Sequence, residues 1–309
     1  MTTALITHPA CLLHELPQGH PERPARLKEV LSALEDAAFN ALLRKAAPRA
    51  DEDSLARVHS RDFIRDILDA IPQSGFAQLD SDTIASPGTG EAILRAAGAL
   101  VLGVDLVMSG EAKNAFCAVR PPGHHATPTR AMGFCLFNNV AVGALHARAV
   151  HRLKRIAVVD FDVHHGNGTQ DIFWADPTVM YCSTHQMPLF PGTGAKGERG
   201  EHDTIVNAPL APDDGSAKFR AAFENVILPQ LQKFSPELVI ISAGFDAHFR
   251  DPLASLNLKA EDFGWVTRKL MDVADKSAGG RVVAMLEGGY DLVGLKESVA
   301  AHVAALMGT

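Results

Sequence analysis

Short apolar runs alternate with longer segments of helical period along most of this 309-residue chain. That alternation constrains the fold more than any other feature. Runs such as Ile156-Ala-Val-Val159 and Leu238-Val-Ile-Ile241 are apolar at every position, as strands are when helices cover both faces of a sheet. The spacing predicts strands over residues 115–119, 155–161, 179–183, 238–242 and 281–286. It predicts helices over 24–39, 90–108, 139–153, 216–232, 259–274 and 292–307. Strand, helix, strand in succession is the pattern of crossover connections. The expected fold is therefore α/β: one domain over residues 1–309, three layers (α/β/α), with a central, mostly parallel sheet. No repeat, low-complexity stretch or linker interrupts it.

Composition removes several classes of function. Net charge is −7, which gives no basic footprint for nucleic acid and mildly favours a cationic substrate. Read by eye, no apolar run approaches the ~18 residues a membrane span needs, so no membrane partner is expected. The first basic side chain is Arg23, unlike a secretory signal with its basic start. Four cysteines show no C-x-x-C spacing and suit a reducing, cytoplasmic setting as buried packing residues.

The segment Asp160-Phe-Asp162-Val-His164-His165-Gly-Asn167-Gly168 closes one of the predicted strands. Were the chain extended there, Asp160, Asp162 and His164 would project to one face. Carboxylates and an imidazole suit zinc and its neighbours better than calcium or magnesium. The same residues could instead only pair with one another and cap the strand. Three further apolar runs end in polar residues, as ligand sites at the strand ends of open α/β sheets do. Val119-Arg-Pro-Pro-Gly123 leads into His124 and His125, and histidine is the usual acid or base near neutrality. The run 238–242 leads to Asp246, which would complete a three-ligand site with Asp162 and His164 and leave a position open for water. The run 281–286 leads through Glu287-Gly-Gly289 to Tyr290, one of only two tyrosines. A phenol there can donate to a developing oxyanion.

The segments Pro121-Pro-Gly-His-His125, Gly133-Phe-Cys-Leu-Phe-Asn-Asn139, Asp160 to Gly168, Phe190-Pro-Gly-Thr-Gly194, Ala243-Gly-Phe-Asp246 and Glu287-Gly-Gly-Tyr290 together resemble the signature set of the histone deacetylase and acetylpolyamine amidohydrolase family. The resemblance runs from His20-Pro-Glu-Arg-Pro24 almost to the C-terminus, and Glu287 and Asn167 look closer to its class II branch. It implies a zinc-dependent amidohydrolase with Asp162, His164 and Asp246 as zinc ligands. It makes His124 and His125 the tandem catalytic histidines, oriented by Asp160 and Asn167, and Tyr290 the carbonyl-polarising phenol. Class I members have an aspartate where this chain has Asn167, so His125 is expected to have a lower pKa than theirs. Phe134 and Phe190, with Gly133, match the walls of a narrow acyl-lysine channel, and Leu253 a rim position. Arg26 resembles an arginine of an internal cavity that would take acetate. A structural potassium ion is implied as well, on backbone oxygens like those of Asp160, Asp162 and His164 and a hydroxyl like that of Ser183.

The reaction implied is hydrolysis of an N-acyl amide to acetate and a free amine. The substrate would be an acetylated lysine side chain or, as the alternative, a small acetylated amine such as an acetylpolyamine. Polyamine-selective relatives carry acidic groups at the channel mouth. Leu253 offers none, whereas Asp80, Asp82 or Glu91 could. An arginase-like dinuclear manganese hydrolase would need a carboxylate two residues past Asp246, where this chain has His248. An inactive binding module is disfavoured because every catalytic position holds a competent residue. The glycines around Lys196 do not form a phosphate loop, since Gly197 follows the lysine where Ser or Thr is required. The long 188–200 segment could rim the channel or pair with a second copy, which leaves a homo-oligomer open.

Overall fold

The structure, a computed structural model, describes residues 2–309. Ten strands are present: β1 Thr3–Thr7, β2 Leu43–Ala46, β3 Ala77–Gln78, β4 Ile84–Ala85, β5 Asn114–Cys117, β6 Ile156–Asp160, β7 Val179–Ser183, β8 Ile205–Asn207, β9 Leu238–Ala243 and β10 Val282–Leu286. Eight of them form one sheet in the order β2-β1-β5-β10-β9-β6-β7-β8. Every pairing in it is parallel, whereas β3 and β4 make a small antiparallel hairpin. The last two strands of the chain insert between β5 and β6. That insertion brings the ends of β5, β10, β9 and β6 side by side although they are far apart in sequence.

Helices cover both faces, which is why β6, β9 and β10 are buried at every position. Helices Pro24–Ala33, Ala260–Ser277 and Leu292–Met307 pack together on one side, and Thr89–Ser109 packs with Asn139–His151 on the other. The last helix shows how local sequence sets an element. Asp291 accepts the Gly294 N–H at 2.7 Å as N-cap, and Leu295, Val299, Val303 and Leu306 form the buried stripe. Gly308 then closes the helix in the left-handed conformation.

Three helical stretches differ from the sequence expectation. Thr89–Ser109 is long and apolar enough to cross a membrane by length and composition, with a hydropathy of 1.8. It is a core helix here, pressed against β1, β5 and β10, so its apolarity is spent on packing. The helix expected over 24–39 stops at Ala33, and Asp36 instead caps a separate 3-10 turn, accepting the Ala38 N–H at 2.9 Å. The helix expected over 216–232 contains a π-turn at Phe223–Ile227. Pro229, two residues past it, has no N–H to offer the preceding turn. All four cysteines are unpaired and buried, and burial pushes the Cys11 thiol up to about 11.

A buried ion cluster ties the N-terminal segment to this frame. Arg120, just past β5, donates to both oxygens of Glu22, at 2.5 and 2.6 Å. Arg26 donates to the same carboxylate at 3.0 Å. All three side chains are sealed from solvent. Burial works against charge on Glu22, but Arg120 and Arg26 more than offset it and hold its pKa at about 2. Glu22→Gln leaves two buried guanidinium groups short of their anion and is expected to cost about 3–5 kcal/mol in urea unfolding. Because the folded pKa is depressed, this stabilisation is present above the ordinary glutamate pKa and is lost as pH falls through about 2. The wild-type chain should therefore lose stability between about pH 4.5 and 2 more steeply than the variant. Parallel acid-side curves would refute the charge-based account.

Candidate active site

Strand β6 ends at Asp160, so strict alternation does not extend to His164 as the sequence reading assumed. A turn does the work. The Asp162 N–H donates to Asp160 Oδ1 at 3.1 Å, and the His164 N–H donates to Asp162 Oδ1 at 2.9 Å. These side-chain-to-backbone bonds fold the chain back on itself. Asp160 then serves as a hub, its Oδ2 lying 3.0 Å from His124 Nδ1 and accepting the Tyr181 hydroxyl at 3.1 Å.

Asp162, His164 and Asp246 converge from the ends of β6 and β9. His164 Nδ1 lies 3.2 Å from Asp162 Oδ1 and 3.1 Å from Asp246 Oδ2, and all three donor atoms fall within 4.8 Å of one another. Tetrahedral zinc with ~2.0–2.1 Å bonds spaces its ligands roughly 3.3 Å apart, so the trio fits zinc. The other carboxylate oxygens are held by backbone: Gly288 N–H donates to Asp162 Oδ2 and Val163 N–H to Asp246 Oδ1, both at 2.8 Å. Such outer bonds orient metal ligands. Gly244 and Gly288 leave the space these carboxylates occupy, since a Cβ on either would overlap them. Burial disfavours a charged His164, yet the two carboxylates raise it to about 10. The trio therefore attracts positive charge.

His124 and His125 stand with ring centroids 4.0 Å apart on the loop after β5. His124 has a carboxylate partner in Asp160; His125 has an amide, with Nδ1 2.8 Å from Asn167 Oδ1. Asn167 opens the short helix Asn167–Phe173. Burial lowers both rings, but Asp160 and Asp162 reverse this at His124 and push it up to about 10. At His125 burial combines with the charge on His124 and His164, and its pKa falls well below the usual histidine value. Glu287 supports the loop from below. Its Oε2 accepts the N–H groups of Gly123 at 2.7 Å and His124 at 3.2 Å, and its Oε1 accepts the Ser242 hydroxyl at 3.1 Å.

Tyr290 stands across from the histidines. Its N–H donates to Asp251 Oδ2 at 2.7 Å, and burial raises its phenol well above 10, so it stays a proton donor. Arg26 lies under its ring, 4.8 Å from the centroid, and donates to the carbonyls of Glu287 and Gly289, each at 2.5 Å. Those bonds make Arg26 a strut beneath Tyr290. Ser183 ends β7 opposite Asp160, its hydroxyl 2.9 Å from His185 Nδ1. Among the described residues no N–H donates to the carbonyls of Asp162 or His164, whereas that of Asp160 accepts Thr184 N–H at 3.1 Å. Oxygens so disposed suit a potassium ion.

A cavity of about 270 Å³ leads to this constellation, lined by Asp82, His125, Gly133, Phe134, His164, Leu189, Phe190, Leu253 and Tyr290. Phe190 packs edge-on against His125 at 5.1 Å, and Phe134 against Tyr290 at 5.9 Å. Phe134 is held at φ 69°, a conformation that costs a non-glycine residue energy. The turn is fixed by Gly133 N–H donating to Asp82 Oδ1 at 3.0 Å and Phe134 N–H to Thr83 Oγ1 at 3.1 Å. The structure thus gathers every residue named for the channel. It adds Leu189, and it gives Glu287 and Asp251 supporting roles that no spacing in the sequence signals. Of the candidate mouth acids, Asp80 pairs with Arg130 at 3.0 Å and Glu91 with Arg95 at 2.7 Å. Only Asp82 lines the cavity. His248 lies outside the ligand trio and stacks on Phe249.

Known proteins resemble this chain over most of its length. The profile described as "Histone deacetylase domain" matches residues 20–306. An uncharacterised Synechocystis protein is 40% identical over 300 residues, 96% of each chain. A protein named histone deacetylase-like amidohydrolase from Pseudomonas aeruginosa is 39% identical over 88% of this chain and 73% of its own. The crystal structure of the HDA15 HD domain superimposes with a TM-score of 0.94 at 37% identity, covering 99% of this chain and 88% of the other. With the fold, the site and the matched length in agreement, this chain belongs to the histone deacetylase family.

Proposed function

We propose that this protein is a zinc-dependent amidohydrolase that removes acetyl groups from lysine side chains. The observation that supports this most is the apolar channel between Phe134 and Phe190, which ends at His125, His164 and Tyr290. A methylene chain fits such walls, and only its terminal amide would reach polar groups. Zinc on Asp162, His164 and Asp246 would supply Lewis acidity, acidifying water and polarising a carbonyl. A potassium ion beside it, on the Ser183 hydroxyl and the neighbouring carbonyls, belongs to the same proposal. So does acetate held by Arg26, whose three protein bonds leave two of its five N–H groups.

The histidines divide the proton work. His125 Nδ1–H donates to Asn167, which leaves Nε2 to accept a proton from water as its oxygen attacks the amide carbon. The same proton then passes to the departing amine nitrogen as the C–N bond breaks, giving acetate and amine. His124, paired with Asp160, stays charged and stabilises the negative charge that develops. Tyr290 donates its hydroxyl to the oxyanion. The paired partners, carboxylate against amide, support this assignment rather than its reverse. Asp82 at the channel gives the acetylpolyamine reading its one specific support, because a carboxylate there would hold a second ammonium group.

Three outcomes test the proposal. His125→Ala should lower kcat on an acetyl-lysine amide by ~10²–10⁴ and by more than His124→Ala does; a milder loss at His125 sinks the assignment. Gly288→Ala should strip zinc, measured by atomic emission, while circular dichroism stays that of the wild type. Retained zinc would mean that the carboxylates have room to shift. Finally, kcat/KM on an acetyl-lysine peptide should exceed that on acetylputrescine. The reverse order hands the site to polyamines, and Asp82→Asn should then abolish the preference.

A further inference from the structure

A second group of ligating side chains lies at the far end of the helix that leaves the active site. Asp105, on helix Thr89–Ser109, places Oδ1 2.7 Å from Nε2 of His146 and 2.7 Å from Nε2 of His151. Both histidines belong to helix Asn139–His151, and the three donor atoms lie within 4.8 Å of one another. At the start of that helix Asn139 donates to the Pro121 carbonyl at 3.2 Å, beside the catalytic loop. His151 ends the helix, about 18 Å along its axis at 1.5 Å per residue. The cluster is therefore separate from the catalytic trio.

We infer that Asp105, His146 and His151 bind a zinc-like divalent cation that clamps the two helices together. Two imidazole nitrogens and one carboxylate select zinc, cobalt, nickel or copper over magnesium and calcium. The present 2.7 Å spacings are those of hydrogen bonds, and tetrahedral coordination needs roughly 3.3 Å between donors. The required opening of about half an ångström falls where it is easiest. His146 is the fixed member, with its side chain 9% exposed. Asp105 at 45% and His151 at 23% exposure are free to move, and water can fill the remaining position on their side.

Binding exchanges two N–H···O bonds for three metal bonds, with both rings passing to the Nδ1–H tautomer. At His146 the buried Nδ1 has no partner, so the only hydrogen bond exchanged there is that of Nε2 to Asp105.

Dialysis of the full chain against zinc, followed by metal analysis, tests the inference. Wild type should retain one more zinc per chain than Asp105→Ala or His151→Ala. The readout is a difference, so it holds whatever the active site contains. Both substituted residues are partly exposed, and both variants should keep their fold and their deacetylase rate. Zinc should raise the melting temperature of the wild type further than that of either variant. Titration with cobalt should show an affinity at least about tenfold weaker in each variant, as loss of even an outer partner costs 10–100-fold. Equal metal content in wild type and both variants would overturn the inference and leave the trio as a hydrogen-bonded clamp only.

Discussion

Four carboxylates, Asp160, Asp162, Asp246 and Glu287, lie at adjoining strand ends with at most 1% of their surface exposed. A buried carboxylate without compensation is not sustainable, and the surroundings of these four are their compensation. Backbone N–H groups of Gly123, Asp162, Val163, His164 and Gly288 point at them. His124 and His164 are driven toward the charged form by the same carboxylates. The divalent cation proposed for Asp162, His164 and Asp246 would answer the remaining demand. The wholly parallel sheet supplies the precondition, because it aligns the ends of β5, β10, β9 and β6 at one edge.

Much of this was legible in the sequence, and the reasons differ by residue. Central strands are mostly apolar, so β7 was located to the residue, and the helical period placed the last helix as closely. β1, β2 and β8 were not anticipated. Leu43-Arg-Lys-Ala46 lies on an edge, partly covered at two positions, and its residues do not alternate in polarity; three-residue β8 is too short for any period. Asp162, His164 and Asp246 could be singled out because each follows an apolar run, and the fold brings their donor atoms within 4.8 Å of one another. Asp160 does not share a face with Asp162 and His164 through strand alternation, because a turn begins where β6 ends. Glu22 and Asp251 were invisible as working residues, and Asp82 was one of three acids open to the channel mouth until the fold set it alone on the cavity. A lone acid carries no local pattern, and only the fold brings Glu22 to Arg120, 98 positions away.

The N-terminal segment matters more than its distance from the motifs suggests. Glu22 holds Arg120 at the root of the catalytic loop, and Arg26 fixes the carbonyls on either side of Gly288. One buried ion cluster thus reaches both sides of the site: the histidine loop through Arg120, and Tyr290 through Arg26. Phe134 is set from a third direction, by Asp82 and Thr83 at the edge of the β3–β4 hairpin.

The unequal partners of the two histidines follow from the same economy of charge. With ring centroids 4.0 Å apart, both imidazoles cannot carry a proton's charge cheaply in a poorly solvated interior. Asp160 decides which one does. A carboxylate at position 167 would pull the second ring toward the charged form and set it against the first. An amide accepts the Nδ1–H, fixes the tautomer and adds no charge. Neighbouring groups whose environments push their pKa values apart mark the acid and base roles of a site. Here that separation is built from one aspartate and one asparagine.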